Sequence, residues 1–268
     1  MENNRIVIGN GVSGAVNNEK IKELTVILRE LNEKGLTEEL KGKGLDLVKS
    51  ISPLELSIAE QQLIEEGTDP SELRHLCEIH MMVLKGELEK LQSNISKGHV
   101  LDTLIKEHEI ILGFLKELEE VTNTILALDN YDANREEFER VTEIIDNIIS
   151  AEPHHKREED VLFPELEVKG VTGPTRIMRL EHDDLRRKKK ELKKLSESVS
   201  DLDFEEYKKE LKRLSNEICF ELKDHIFKEN YILYPTALET IESEAKWDDM
   251  KKECDKMGYC TFTPEDCK

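Results

Sequence analysis

The stretch from His154 to Glu167, HHKREEDVLFPELE, occurs a second time from His225 to Glu239 as HIFKENYILYPTALE. A constant offset of 71 residues pairs His154 with His225, Glu158 with Glu229, Leu162 with Leu233, Phe163 with Tyr234 and Pro164 with Pro235. In each copy a histidine precedes a glutamate by four residues. That is about one helical turn, so imidazole and carboxylate share a face. One such pair is as often a helical ion pair as a set of metal ligands. Two pairs in the same LFP/LYP setting constrain the fold much more: the copies must lie on helices that can meet. The prolines at 164 and 235, each six residues after the glutamate, are expected to bend both helices at matched places.

A second correspondence links the helices that precede each copy. Ile105-Lys106-Glu107-His108 is matched by Arg179-Leu180-Glu181-His182, 74 residues on. The chain is thus a tandem of two helix pairs, each offering one histidine and then one H-x-x-x-E. Together they supply His108, His154, Glu158, His182, His225 and Glu229. Neutral imidazole suits divalent iron, zinc or manganese, and a carboxylate can bridge two ions. Two glutamates offset about half the charge of two divalent ions, which makes the site tolerable inside a bundle. Six ligands for two ions leave positions open for dioxygen, nitric oxide or peroxide. His155 and Glu159 have the same spacing as His154 and Glu158, but the repeat alignment selects the latter pair. Neighbouring histidines differ by about 100° around a helix, so only one is expected to face inward.

Composition supports a helical reading. Hydrophobic and charged residues each make up 37%, aromatics only 5%, and Gly (13) and Pro (7) are sparse. The expected class is all-α, with an up-down-up-down four-helix bundle preceded by a small helical domain. Residues 1–18 read as a loose arm, with a short strand possible at Arg5–Ile8. Residues 19–92 read as a small helical domain whose helix starts, Ser52-Pro53-Leu54-Glu55 and Asp69-Pro70-Ser71-Glu72, place a cap, a proline and a glutamate in order. The bundle, residues 99–243, divides into helices of about 99–128, 134–168, 173–198 and 203–243, the last capped by Asp203. Short connections make successive helices antiparallel neighbours. Residues 244–268 form a cysteine-containing tail.

The order EH, H-x-x-x-E-x-x-x-LFP, EH, H-x-x-x-E-x-x-x-LYP over about residues 99–243 resembles the hemerythrin-like (HHE cation-binding) family. The resemblance implies a four-helix bundle holding two non-haem iron ions bridged by carboxylates, with the six residues above as ligands. The sequence departs from hemerythrin itself in two ways. A fifth histidine is missing from the third helix, where Met178 and Arg186 occupy the positions four residues either side of His182. The last carboxylate is a glutamate four residues on rather than an aspartate five on. His99 is a candidate for the missing ligand if it precedes the first helix and folds over the bundle end. The segment with SPLELSIAEQQLIEEG and LCEIH, together with MGYC in the tail, is similar to a helical domain of unknown function that often precedes such bundles.

Other functions find little support. A net charge of −20, from 39 basic and 59 acidic residues, disfavours nucleic acid and anionic membranes as partners. No run of about 18 apolar residues and no leader peptide is present. Five cysteines, an odd number, suit a cytoplasmic protein with reduced thiols. Phosphate loop, haem-attachment and serine-hydrolase motifs are all missing. Cys77 and His80 share a helix face and read as core packing, while His75 reads as exposed. The basic run Lys188–Lys190, with Arg186 and Arg187, reads as a solvated face. The expected function is reversible binding or sensing of a small diatomic ligand, dioxygen or nitric oxide, or of redox state. The alternatives are a di-iron enzyme that reduces nitric oxide, oxygen or peroxide or assists iron-centre repair, and an iron-storage or structural bundle.

Overall fold

A computed structural model describes residues 91–268, and Lys22, Val26, Glu30 and Leu88 singly. The helix starts at Ser52 and Asp69, the strand at Arg5–Ile8, and His75, Cys77 and His80 lie outside the described residues. Among the described residues the chain divides into two compact units, one containing residues 95–226 and 236–268 and the other residues 227–235. The described residues contain no strand, and none of their helices is long and apolar enough to cross a membrane.

Helix α1 spans Val100–Leu126 and α2 Glu136–Ile149. The next two, α3 (Glu152–Arg157) and α4 (Phe163–Val168), are separated by a π turn over Glu158–Leu162. Helix α5 covers Gly173–Glu197 and α6 Phe204–Lys228. A second π turn, Glu229–Leu233, leads into α7, Tyr234–Thr240. Cross-helix partners fix the topology. Glu117 meets Arg140 while Glu107 meets His154, so α1 runs antiparallel to α2 and α3. Asp146 meets Lys193, Glu152 meets Arg186, and Glu159 meets His182, which sets α5 antiparallel to the second limb. Lys188 meets Glu221 and Glu181 meets His225 between α5 and α6. Helix α6 returns along α1 through Cys219 with Leu115, Ser215 with Thr122 and Lys208 with Leu128. This is the up-down-up-down bundle.

Its apolar core includes Leu115, Leu118, Val141, Ile144, Leu192 and Leu211, all buried. Truncating one of these to alanine costs about 2–5 kcal/mol. Asp203 caps α6 as expected, its Oδ1 accepting from the N–H groups of Glu205 and Glu206. The second limb is not one continuous helix. It breaks between α2 and α3, where Pro153 in the first turn of α3 brings no N–H to the helical ladder. The two later prolines do more than bend their helices. The residue before each, Phe163 or Tyr234, donates its N–H five residues back to the carbonyl of Glu158 or Glu229. Each repeated glutamate therefore opens a π turn, an arrangement often found at functional sites.

The tail is ordered around a further helix, α8, Glu244–Met257, capped by Ser243. Gly258 ends it with φ +90°, a conformation that favours glycine. The chain then turns back, and Phe262 packs edge-on against Phe114 of α1.

Candidate metal centre

The duplicated motif carries its side chains into the bundle interior. His108 comes from α1, His154 and His155 from α3, His182 from α5 and His225 from α6, while Glu158 and Glu229 open the two π turns. All seven residues are at most 2% exposed. They include two groups, each offering ligand atoms within 4.8 Å of one another: His108, His154 and Glu158 in one, His155, His182 and His225 in the other. Glu158 joins the groups. Its Oε2 lies 3.5 Å from His154 Nε2 and 3.5 Å from His182 Nε2.

Three of the imidazoles are oriented by carboxylates behind them. His154 Nδ1 donates to Glu107 Oε2 at 2.7 Å, His182 Nδ1 to Glu159 Oε1 at 2.7 Å, and His225 Nδ1 to Glu181 Oε2 at 2.8 Å. A proton fixed on Nδ1 leaves Nε2 as the ligand atom, the usual support for a metal-binding histidine. Glu107 and Glu181 are the glutamates of the repeated EH pair. Each histidine of that pair therefore joins the centre, while the glutamate before it orients the histidine of the next helix. Burial alone would raise the Glu107 carboxyl, but His154, Arg157 and Thr263 bring it down to about 2. Burial likewise opposes ionisation of Glu159, and His182 with Arg186 brings it to about 2.

His155, which the repeat alignment passes over in favour of His154, is also buried. Only one of two neighbours can point at a single centre. Here there are two groups, and His154 and His155 straddle them. The His155 ring stacks on His182 at 4.0 Å and lies edge-on to His225. His99 joins neither group. It caps α1, with Nδ1 accepting from the N–H of Leu101, and its ring lies 4.5 Å from that of Trp247 in α8. Lys189, read as part of a solvated face, is buried. Seven residues after His182, it lies on nearly the same face of α5. Its neighbours do keep to the surface in ion pairs, Lys188 with Asp184 and Glu221, and Arg187 with Asp184 and Glu191.

The donor set fits divalent cations. His108 Nε2 and His154 Nε2 are 3.0 Å apart. That is close to the roughly 2.9–3.3 Å between two nitrogens bound to one ion at about 2.0–2.1 Å. Buried His155 Nδ1 has no hydrogen-bond partner among the described residues, and the nearest carboxylate oxygen, on Glu152, is 4.0 Å away. Burial, then the charges of Lys189 and the other imidazoles, holds His155 well below the usual histidine range, in the neutral form that a metal requires. Glu158 and Glu229 are wholly buried, and cations in the interior would offset the cost of enclosing two carboxylates.

The class this defines is a helical metal-binding bundle, with ligands projecting inward from facing helices. The sequence model described as Hemerythrin HHE cation binding domain matches residues 99–237, just over half of the chain, and the protein belongs to that family. Residues 24–90 match a family of unknown function, DUF438. No curated protein matches the chain.

Proposed function

We propose that the two groups hold two iron ions with Glu158 and Glu229 shared between them, and that the chain binds a small diatomic ligand such as dioxygen or nitric oxide and so reports ligand or redox state. The reading is carried by Glu158, equidistant at 3.5 Å from one imidazole nitrogen of each group. Seven donors for two six-coordinate ions that share two carboxylates leave positions unfilled. Bound iron would supply a redox-active Lewis acid at those positions. The chain's own residues hold the imidazoles neutral, orient three of them through Glu107, Glu159 and Glu181, and keep bulk water out. Zinc and manganese suit the same donor types; iron is the choice favoured by the family. The acidic surface and free cysteines suit the cytoplasmic location that belongs to this proposal.

Repair chemistry is the alternative, and Cys77, the thiol it would draw on, lies outside the described residues. Burial pushes the Cys254 thiol up to about 11 and the Cys260 thiol up to about 12, so neither offers a thiolate at neutral pH. The test is anaerobic: load the chain with ferrous iron, then add nitric oxide or dioxygen while recording its absorption spectrum. New visible bands that saturate at a fixed ratio of ligand to iron are expected. Iron uptake with no spectral response to either gas would reject the ligand-binding function.

A further inference from the structure

The C-terminal tail is the part of the described chain that the metal site does not account for, and its contacts lead back to that site. Glu107 is fully buried and receives three side chains. His154 Nδ1 donates at 2.7 Å, Arg157 Nη2 reaches both oxygens at 2.6 Å, and Thr263 Oγ1 donates to Oε1 at 2.5 Å. A carboxylate only accepts, so each of these partners must present a proton. Thr263 is itself buried, 156 residues from Glu107 in sequence.

The residues around Thr263 hold it there. Its N–H donates to the carbonyl of Cys260 at 3.0 Å, closing a turn. The Tyr259 ring covers the Arg157 guanidinium at 4.7 Å, and Cys260 Sγ lies 3.9 Å from Arg157 Nη2. Beyond Thr263, the carbonyl of Cys267 accepts from Thr103 Oγ1 at 2.6 Å, tying the end of the chain to α1. The segment thus touches both members of one pair, Glu107 through Thr263 and Arg157 through Tyr259 and Cys260. Glu159 and Glu181, which orient the other two histidines, keep side-chain exposures of 16% and 29%.

We propose that Thr263 is a positioning residue of the metal centre: acting through Glu107, the tail fixes which nitrogen of His154 is offered to the cation. This rests on the two-metal reading above. The hydroxyl adds a third fixed donor to Glu107 and leaves Oε2 aimed at His154 Nδ1. His154 Nε2 is then directed toward His108 and Glu158 before any ion arrives.

The test compares the full-length chain with Thr263→Val and Thr263→Ser. In metal-free ¹⁵N-labelled protein, long-range imidazole correlations should show His154 protonated at Nδ1 in the wild type and Thr263→Ser, and a mixture of tautomers in Thr263→Val. Ferrous iron titrated under argon should bind about 10-fold more weakly at one of two sites in Thr263→Val, with the other unchanged and Thr263→Ser restoring the loss. The proposal is overturned if Thr263→Val keeps the wild-type tautomer and both affinities. It is equally overturned if both affinities fall together with the melting temperature of the metal-free protein, which would mark a merely structural contact. A wild-type chain that takes up no iron rejects the metal reading, and with it the role of Thr263 in the centre.

Discussion

The two histidine groups come from a duplicated sequence, yet the protein supports them differently. Behind His154, Glu107 is entirely enclosed, gripped by Arg157 and sealed by the tail. Behind His182 and His225, Glu159 and Glu181 reach the surface, and Arg186 ties Glu159 to Glu152 on the outside of the bundle. The duplication also lapses at this level: the residue 71 positions after Glu159 is Asn230. The repeat keeps the supporting glutamates of the EH pair, Glu107 and Glu181, but Ile226 stands where the first copy has His155. One half is built for rigidity, while the other has its hydrogen-bonded carboxylates within reach of solvent.

The largest effect expected is at the residue the halves share. Glu158→Ala should abolish binding of both ions, measured as metal per chain after anaerobic loading and desalting; full retention of one ion would show that the halves are independent. Next, His108→Ala and His225→Ala should each remove one ion and spare the other. Loss of both from either variant would mean that the groups are not separable.

The supporting carboxylates should separate the halves by stability. Glu107→Ala leaves the buried Arg157 guanidinium without its carboxylate, at a cost of about 3–5 kcal/mol in denaturant unfolding of the metal-free protein. Glu181→Ala, at a partly exposed pair, should cost less than about 1 kcal/mol while weakening metal binding about 10- to 100-fold. Equal stability losses would erase the distinction between a sealed and a solvent-facing half.

The smallest effect concerns thiols on the sealed side. Burial raises Cys260 to about 12, helped by the Glu107 charge and opposed by Arg157, and burial raises Cys254 to about 11. A thiol with a raised pKa stays protonated until the pH passes that value, so at pH 8 neither should react with a disulfide reagent until the chain unfolds. Rapid native-state labelling of either would show that the tail does not seal Glu107.

Legibility in the sequence followed the range of the physics involved. Helices, their antiparallel order and the cap at Asp203 rest on local patterns and short connections, and they could be read directly. The six positions drawn from the duplication all lie inside the bundle; ligation by them is the proposal made above. His155 was hidden because neighbours about 100° apart cannot face one point, and the two separate groups of donors arise only from tertiary packing. His99 precedes the first helix as expected, and its capping of that helix and its contact with Trp247 depend on local and tertiary packing together. Glu107 and Glu181 were visible in the EH pair, but their partners lie 47 and 44 residues away, a register set by packing of the helices. Thr263 left no local signal at all, since its meaning depends on a contact spanning 156 residues. The break before Pro153 was legible in principle, because a proline without an N–H marks it.

In the proposed function two cations share Glu158 across the two histidine groups. Mössbauer spectroscopy of the full-length chain, loaded anaerobically with ⁵⁷Fe and then oxidised, tests it most directly. Two irons per chain with the diamagnetic ground state of a magnetically coupled pair are expected. One iron per chain, or two with independent paramagnetic spectra, would contradict that sharing.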